Sequence, residues 1–286
     1  MFRLFIFFYV MSGLIAFADS SQKIPIVLVG IAPYKFLVEN IAGNTVDIKV
    51  VVPTGHNPHD YEMGLKDILK LKESTVWFQN NESFEHSINK FLKANKSPCQ
   101  IINLHNDLNL ISIDPNHPCH HSHANQFDTH TWLAPSLLKK QSLVIAKILC
   151  QTFPKHTEFY KNRLETTLIA IDHLDDQIRK ILRTVPESKK TFLTNHNACG
   201  YLCRDYNLHQ ITINGSATEP TLQHLAALKK EIEDLSINVI FVQKQHGTKS
   251  ATRLAHILKA HLVPFDPYAE DIFKNLLFII MAIAGQ

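Results

Sequence analysis

The chain has 286 residues, of which 45% are hydrophobic, and a formal net charge of +3 at pH 7. So small a charge argues against a protein that binds nucleic acid or an acidic membrane surface. The hydrophobic share excludes a largely disordered chain and allows one large domain or two of ordinary size. Histidine is unusually frequent, with 17 copies, and the five cysteines leave any disulfide pairing open.

The first 18 residues have the pattern of a secretory signal peptide. Arg3 precedes an apolar stretch over residues 4–17, and Ala16 and Ala18 fit the small-x-small pattern of a cleavage site. The stretch is too short to span a bilayer. We therefore expect export to the periplasm and cleavage after Ala18. No cysteine lies at the cleavage point, so no lipid attachment is predicted there.

Strands alternate with helices in the first half of the chain. Strands are predicted at residues 23–30, 47–52, 75–79 and 100–104, with a helix at residues 31–42 and helical patterns between the later strands. This alternation predicts a parallel sheet flanked by helices. We assign it to a first lobe, residues 19–150.

A long amphipathic helix is predicted at residues 154–184. Apolar residues recur there in steps of three and four, at Tyr160, Leu164, Leu168, Ile171, Leu174, Ile178 and Leu182. About 30 helical residues span roughly 45 Å, which is more than a small lobe needs. We interpret residues 151–186 as a rigid helix that links two lobes. An ordinary surface helix of a single domain is the alternative.

The second half repeats the pattern of the first. Strands are predicted at residues 190–194, 209–213, 238–243 and 261–265, and helices at residues 199–206, 221–235 and 250–259. Residues 276–284 are apolar and predict a last buried helix. The expected fold is therefore α/β, with a second lobe at residues 187–286. Each lobe contains a parallel sheet, and the cleft between the lobes is the expected ligand site.

Four potential metal ligands lie in loops next to predicted strands or helices. His59 follows the second strand, His130 precedes a helix that begins near Pro135, His196 follows the strand at residues 190–194, and Asp266 follows the last strand. Open α/β sheets bind ligands at such strand ends. Three imidazoles and one carboxylate suit a tetrahedral zinc ion better than calcium or magnesium.

The segments that contain these residues resemble the solute-binding proteins of bacterial zinc and manganese ABC importers. The similar segments are PHDYE around His59, DTHTWLAP around His130, HNACGYLCRDYNL from His196, and FDPY, which resembles the family's Leu-Asp-Pro-Leu, around Asp266. The resemblance implies that His59, His130, His196 and Asp266 bind the metal. Thr129, Ala134 and Gln243 depart from the family's usual proline, aspartate and glutamate, but none of them is at a ligand position.

The resemblance also implies a function. The chain would be a periplasmic monomer that captures Zn²⁺ and delivers it to the permease of an ABC importer, without catalysing a reaction. Relatives that prefer manganese tend to have glutamate in place of His196, so the histidine favours zinc. A manganese or iron carrier with the same pocket is the main alternative.

Parts of the sequence suggest two other functions and one further site. A zinc hydrolase, with Glu62 as a general base, needs an open water position, which four protein ligands would fill. A surface adhesin needs a tether, and no lipid-attachment cysteine is visible. The cluster HPCHHSHANQ contains further potential ligands at His117, Cys119, His120, His121 and His123. It is either an auxiliary metal-collecting loop or a solvated polar loop.

Overall fold

A computed structural model describes residues 24–112, 127–213, 222–232, 234–235, 237–243 and 249–285 of the chain. The predicted signal peptide and the histidine-rich cluster at residues 117–123 lie outside the described residues. Within these ranges, two separate four-stranded parallel sheets are present. No helix in the described ranges is long and apolar enough to cross a bilayer.

The first lobe contains four parallel strands with helices between them. Its elements are β1 (Ile26–Val29), α1 (Ala32–Ala42), β2 (Asp47–Val50), α2 (Leu65–Lys70), β3 (Val76–Gln79), α3 (Ser83–Ala94) and β4 (Gln100–Asn103). The strands are hydrogen-bonded in the order β2-β1-β3-β4. All four residues of β3 are buried, as expected for a strand of a parallel sheet that is covered on both faces.

Two helices follow the first sheet, α4 (Pro135–Thr152) and α5 (Thr157–Leu182). The long helix predicted at residues 154–184 is confirmed, although its first turn, Pro154–His156, is a 3-10 helix. The buried residues of α5 recur mainly in steps of three and four, at Tyr160, Thr167, Ile171, Leu174, Ile178 and Leu182. One stripe of α5 is therefore buried while its opposite face remains in solvent.

The second lobe has the same strand topology as the first. Its elements are β5 (Thr191–Thr194), α6 (Gly200–Tyr206), β6 (His209–Thr212), α7 (Leu222–Ile232), β7 (Val239–Gln243), α8 (Lys249–Leu258), β8 (His261–Phe265) and α9 (Ile272–Ala284). The strand order is β6-β5-β7-β8, and every pair is parallel. The predicted two-lobed α/β fold is confirmed.

Helix α9 begins earlier than predicted and links the two lobes. The helix begins at Ile272, four residues before the predicted start at residue 276. Asp271 caps it, because its side chain accepts the backbone N–H of Lys274 at 3.0 Å. The helix packs against α5. Phe273 also contacts Phe36 of α1, with ring centroids 5.1 Å apart. The end of the second lobe is thus anchored on the first lobe, and the exact domain boundaries stay a prediction.

The described cysteines are free thiols. Cys199 is buried, and Cys99, Cys150 and Cys203 are partly buried. Cys119 lies outside the described residues.

Candidate metal centre

His59 lies in a short 3-10 turn after β2. The turn, Pro58–Asp60, begins where the side chain of Asn57 accepts the backbone N–H of His59 at 3.2 Å. The amide of Asn57 also donates to the carboxylate of Asp60 at 2.7 Å. Asparagine is a favoured residue at such a position because its side chain replaces a missing backbone acceptor. This local structure fixes the backbone of His59.

His130 lies immediately before the 3-10 turn Thr131–Leu133, which leads into α4. One carboxylate oxygen of Asp128 accepts the backbone N–H of His130 at 2.9 Å and lies 2.7 Å from its Nδ1. The hydroxyl of Tyr201 in turn donates to the carbonyl of Asp128 at 2.6 Å. Both the backbone and the ring of His130 are therefore held by the preceding aspartate.

His196 lies two residues after the end of β5 and completes a cluster of three imidazoles. His130 and His196 are buried, with 4% and 8% exposure, and His59 is partly buried. One ring nitrogen from each histidine lies within 4.8 Å of the others, and the Nε2 atoms of His59 and His130 are 3.4 Å apart. Two nitrogens bound tetrahedrally to one zinc ion would be about 3.3 Å apart. The spacing of this pair thus suits a single zinc-sized cation.

Glu82 orients the ring of His59 from the opposite side. Its Oε2 lies 3.0 Å from Nδ1 of His59, and its Oε1 accepts the hydroxyl of Thr129 at 2.8 Å. Burial alone would raise the pKa of Glu82, but the neighbouring His59 lowers it to about 2. Burial alone would lower the pKa of His59, but Glu82 raises it above its usual value. Glu82 is therefore ionised and holds the proton of His59 on Nδ1.

In metal sites, a histidine ligand commonly donates the N–H of its other ring nitrogen to a carboxylate. This carboxylate fixes the tautomer and directs the other ring nitrogen, Nε2, toward the metal. Glu82 is such a partner for His59, and Asp128 is such a partner for His130. Each Nε2 lone pair is thereby available on the side of the ring that faces the cluster.

A buried hydrogen-bonded network supports the segment that contains His130. The hydroxyl of Thr131 lies 3.1 Å from Nε2 of His105 and 3.1 Å from the hydroxyl of Tyr34, and the amide of Gln141 donates to both hydroxyls. Burial lowers the pKa of His105 to about 4. His105 is therefore neutral at physiological pH. It supports the segment of His130 through its contact with Thr131.

Asp266, the fourth predicted ligand, occupies a loop beside the cluster. Among the described residues, the group of mutually close ligand atoms consists of the three histidines and does not include Asp266. The Oδ1 atom of Asp266 accepts the backbone N–H of Tyr268 at 3.0 Å. The role of Asp266 as a ligand stays a prediction.

Tyr268 contacts the cluster directly. Its hydroxyl lies 3.1 Å from Nε2 of His59, and its ring is 6.3 Å from that of His130, between centroids. Burial raises the pKa of this hydroxyl well above its usual value, and the charges of Glu82 and Asp128 raise it further. The hydroxyl is therefore protonated.

Sequence reasoning had not assigned Glu82, Asp128 or Tyr268 to the site. A signal for Glu82 is present, because the polar run NNE follows the β3 strand, whose first three residues are apolar, at the edge where ligands bind. Thr129, noted only as a departure from the family's usual proline, donates its hydroxyl to Glu82.

Comparison with known proteins agrees with this geometry. The model of the family described as zinc-uptake complex component A, periplasmic (ZnuA), matches residues 27–275. A putative metal-binding protein of Chlamydia trachomatis serovar D is 32% identical over 283 residues, which cover 99% of each chain. The zinc-binding protein AdcA of Streptococcus pyogenes serotype M3 is 27% identical over 88% of this chain and 52% of its own length.

The fold is also similar to that of solved structures. A crystal structure of ZnuA superposes with a TM-score of 0.83 at 28% identity and covers 91% of this chain and 98% of that chain. The sequence resemblance to metal-specific solute-binding proteins is thereby confirmed. With its two parallel sheets and its cluster of imidazoles, the chain belongs to the zinc-uptake complex component A family of periplasmic metal-binding proteins.

Proposed function

We propose that the protein captures Zn²⁺ in the periplasm and delivers it to an ABC importer. The observation that carries the proposal is the convergence of His59, His130 and His196, whose ligand nitrogens lie within 4.8 Å of one another. Nitrogen-rich ligation favours zinc over manganese, magnesium and calcium. Asp266 supplies the fourth ligand in this proposal, after a local rearrangement of its loop.

The proposed role is binding and transfer, not catalysis. Four protein ligands would close the coordination shell of the zinc ion, so that no position would remain for an activated water. The family relationship supports the same role, because its description names uptake of zinc. The partner would be the permease of the importer, and the binding protein would act as a monomer.

Calorimetric titration of the metal-stripped mature protein tests the binding step. We expect one zinc ion per chain, and loss of this site in the His59→Ala, His130→Ala double variant. His173→Ala, an exposed histidine on α5, is the matched control and should bind zinc like the wild type. One-to-one zinc binding that survives in the double variant would exclude the proposed site.

Two further measurements separate the finer alternatives. In competition experiments, manganese or ferrous iron should displace zinc only at large excess, and a preference for either would identify the alternative carrier. For delivery, the zinc-loaded protein should stimulate ATP hydrolysis by the importer of the same organism in vesicles. Without stimulation, zinc binding would stand but delivery to that importer would not.

A further inference from the structure

Helix α6 of the second lobe packs against the first lobe beside the metal centre. The ring of Tyr201, in the first turn of α6, is fully buried and contacts apolar side chains at the start of α4. The guanidinium of Arg204, three residues further on, lies 5.1 Å from the centroid of the Tyr201 ring and donates to the carbonyl of Asn109 at 3.0 Å. The helix that follows His196 in the chain is therefore attached to the first lobe.

The Tyr201 hydroxyl joins two segments of the first lobe. It donates to the backbone carbonyl of Asp128 at 2.6 Å and accepts the backbone N–H of Ile111 at 3.2 Å. A carbonyl only accepts and a backbone N–H only donates, so the directions of both bonds are fixed. The backbone N–H of Asp128 also donates to the carbonyl of Ile111 at 2.9 Å. The hydroxyl therefore belongs to a ring of bonds that fixes the backbone of Asp128.

Asp128 transmits this constraint to His130. Its Oδ1 atom accepts the backbone N–H of His130 at 2.9 Å and lies 2.7 Å from Nδ1 of the ring. Because a single residue separates the two, a shift of the Asp128 backbone also shifts the imidazole of His130. The position of His130 therefore depends on the bond that Tyr201 makes from the second lobe.

His196 is attached to the other end of this connection. The side chain of Asn195 accepts the backbone N–H of Gln243 at 3.0 Å and donates to its carbonyl at 3.3 Å, which ties the residue before His196 to β7. The side chain of Gln210 on β6 accepts the backbone N–H of Cys199 at 2.7 Å. The turn between His196 and α6 is thus held at both ends by strands of the second lobe.

We propose that the Tyr201 hydroxyl sets the spacing between His130 and His196, and thereby fits the metal centre to a zinc-sized cation. This inference rests on the proposed function and names a residue that positions two of its ligands from opposite lobes. Sites discriminate among divalent metals largely by their geometry, so a fixed spacing favours one ion over others. Tyr201 is a positioning residue, since it acts on the ligands through Asp128.

The Tyr201→Phe variant tests this role because it removes the hydroxyl and keeps the packed ring. Competition with a chromophoric chelator measures the Kd for zinc of the metal-stripped protein. We expect the Kd to rise by about two- to tenfold, the change that corresponds to one ordinary hydrogen bond. Tyr206→Phe is the matched control, because its hydroxyl lies on the same helix and donates to Asp175 of α5 at 2.5 Å. Its Kd should equal that of the wild type, and equal weakening in both variants would overturn the proposal.

Cobalt substitution separates positioning from a general loss of stability. The visible absorption spectrum of bound Co²⁺ reports the geometry of its ligands. We expect this spectrum to change in Tyr201→Phe and to stay the same in Tyr206→Phe, and an unchanged spectrum in Tyr201→Phe would count against the proposal. If Tyr201→Phe does not fold, Arg204→Met removes the neighbouring bond to Asn109 from a partly exposed position. A Kd that stays at the wild-type value in Arg204→Met would then overturn the proposal.

The outcome for the wild type separates this inference from the function on which it rests. If the wild type binds zinc and Tyr201→Phe has the same Kd, the tyrosine does not position the ligands and the proposed function stands. If the wild type binds no zinc, the proposed function fails, and the role of Tyr201 fails with it.

Discussion

A single carboxylate oxygen of Asp128 holds His130 at two points, the backbone N–H at 2.9 Å and the ring Nδ1 at 2.7 Å. The two residues are separated only by Thr129, so the contact forms within one turn of the chain. The sequence Asp-Thr-His is therefore a compact unit that presents the Nε2 atom of His130 to the cluster.

The first prediction concerns this unit. Asp128→Asn keeps an oxygen that can accept the backbone N–H but removes the charge behind the imidazole. We expect zinc binding to weaken by about 10- to 100-fold, the usual effect of losing such a partner. Competition with a chelator measures the change. Asp175→Asn, which affects a carboxylate bonded to Arg179 on α5, is the control. Equal affinities for wild type and Asp128→Asn would show that the carboxylate has no influence on the metal.

The second prediction concerns Glu82 and tests whether it acts through His59. Glu82→Gln removes the ionised partner of Nδ1, and we expect a loss of zinc affinity of about 10- to 100-fold. The same substitution in a His59→Ala background should have almost no further effect, because the ring that Glu82 orients is then missing. Equal losses in both backgrounds would mean that Glu82 acts on the site by another route.

The third prediction concerns the close approach of α6 to the site. A methyl group added at Gly200 would lie 2.7 Å from Oδ2 of Asp128, which is far shorter than a van der Waals contact. Gly200→Ala should therefore lower the free energy of unfolding by about 1–3 kcal/mol and weaken zinc binding. Gly64→Ala is the control, because its nearest neighbour would be 3.8 Å away. Chemical denaturation compares the two, and similar stabilities would contradict the proposed clash.

The fourth prediction concerns acid stability. The pKa of His105 is lowered by burial from 6.5 to about 4. Between these values the unfolded chain binds a proton that the folded chain does not, so stability falls as the pH decreases from 6.5 to 4. The whole shift corresponds to about 3 kcal/mol.

The His105→Gln variant isolates this contribution. Urea unfolding of the metal-free proteins across this pH range should give a flatter profile for His105→Gln than for the wild type. Other groups whose protonation changes in this range are present in both proteins and cancel in the comparison. Parallel profiles would show that His105 is not the group responsible.

The sequence predicted most of the architecture because the signals are local. Alternating apolar strands and helices are determined by side chains that are neighbours along the chain, and the repeated topology follows once both halves show the same pattern. The long helix was also predictable, since its apolar residues recur in steps of three and four. Only its first turn differs from the prediction, because residues Pro154–His156 form a 3-10 helix and not an α-helix.

The site was predictable only in part. The loop positions of His59, His130, His196 and Asp266 follow from the strand ends, and the structure brings the three histidines together. The sequence contains no information on side-chain rotamers, so it does not show which side chain of the FDPY segment contacts the histidines. In the structure, Oδ1 of Asp266 accepts a backbone N–H of its own loop. The hydroxyl of Tyr268 is the group that lies close to His59. The four-residue ligand set therefore stays a prediction.

By itself, the amino-acid sequence determined the two-lobed α/β fold, the family and the three imidazoles, because each depends on local patterns or short motifs. The tertiary structure decided which groups orient those imidazoles. Glu82 is 23 residues from His59 along the chain and Tyr268 is 209 residues from it. Contacts across such separations arise only when independent strands and helices pack together, and no periodicity within a segment can reveal them.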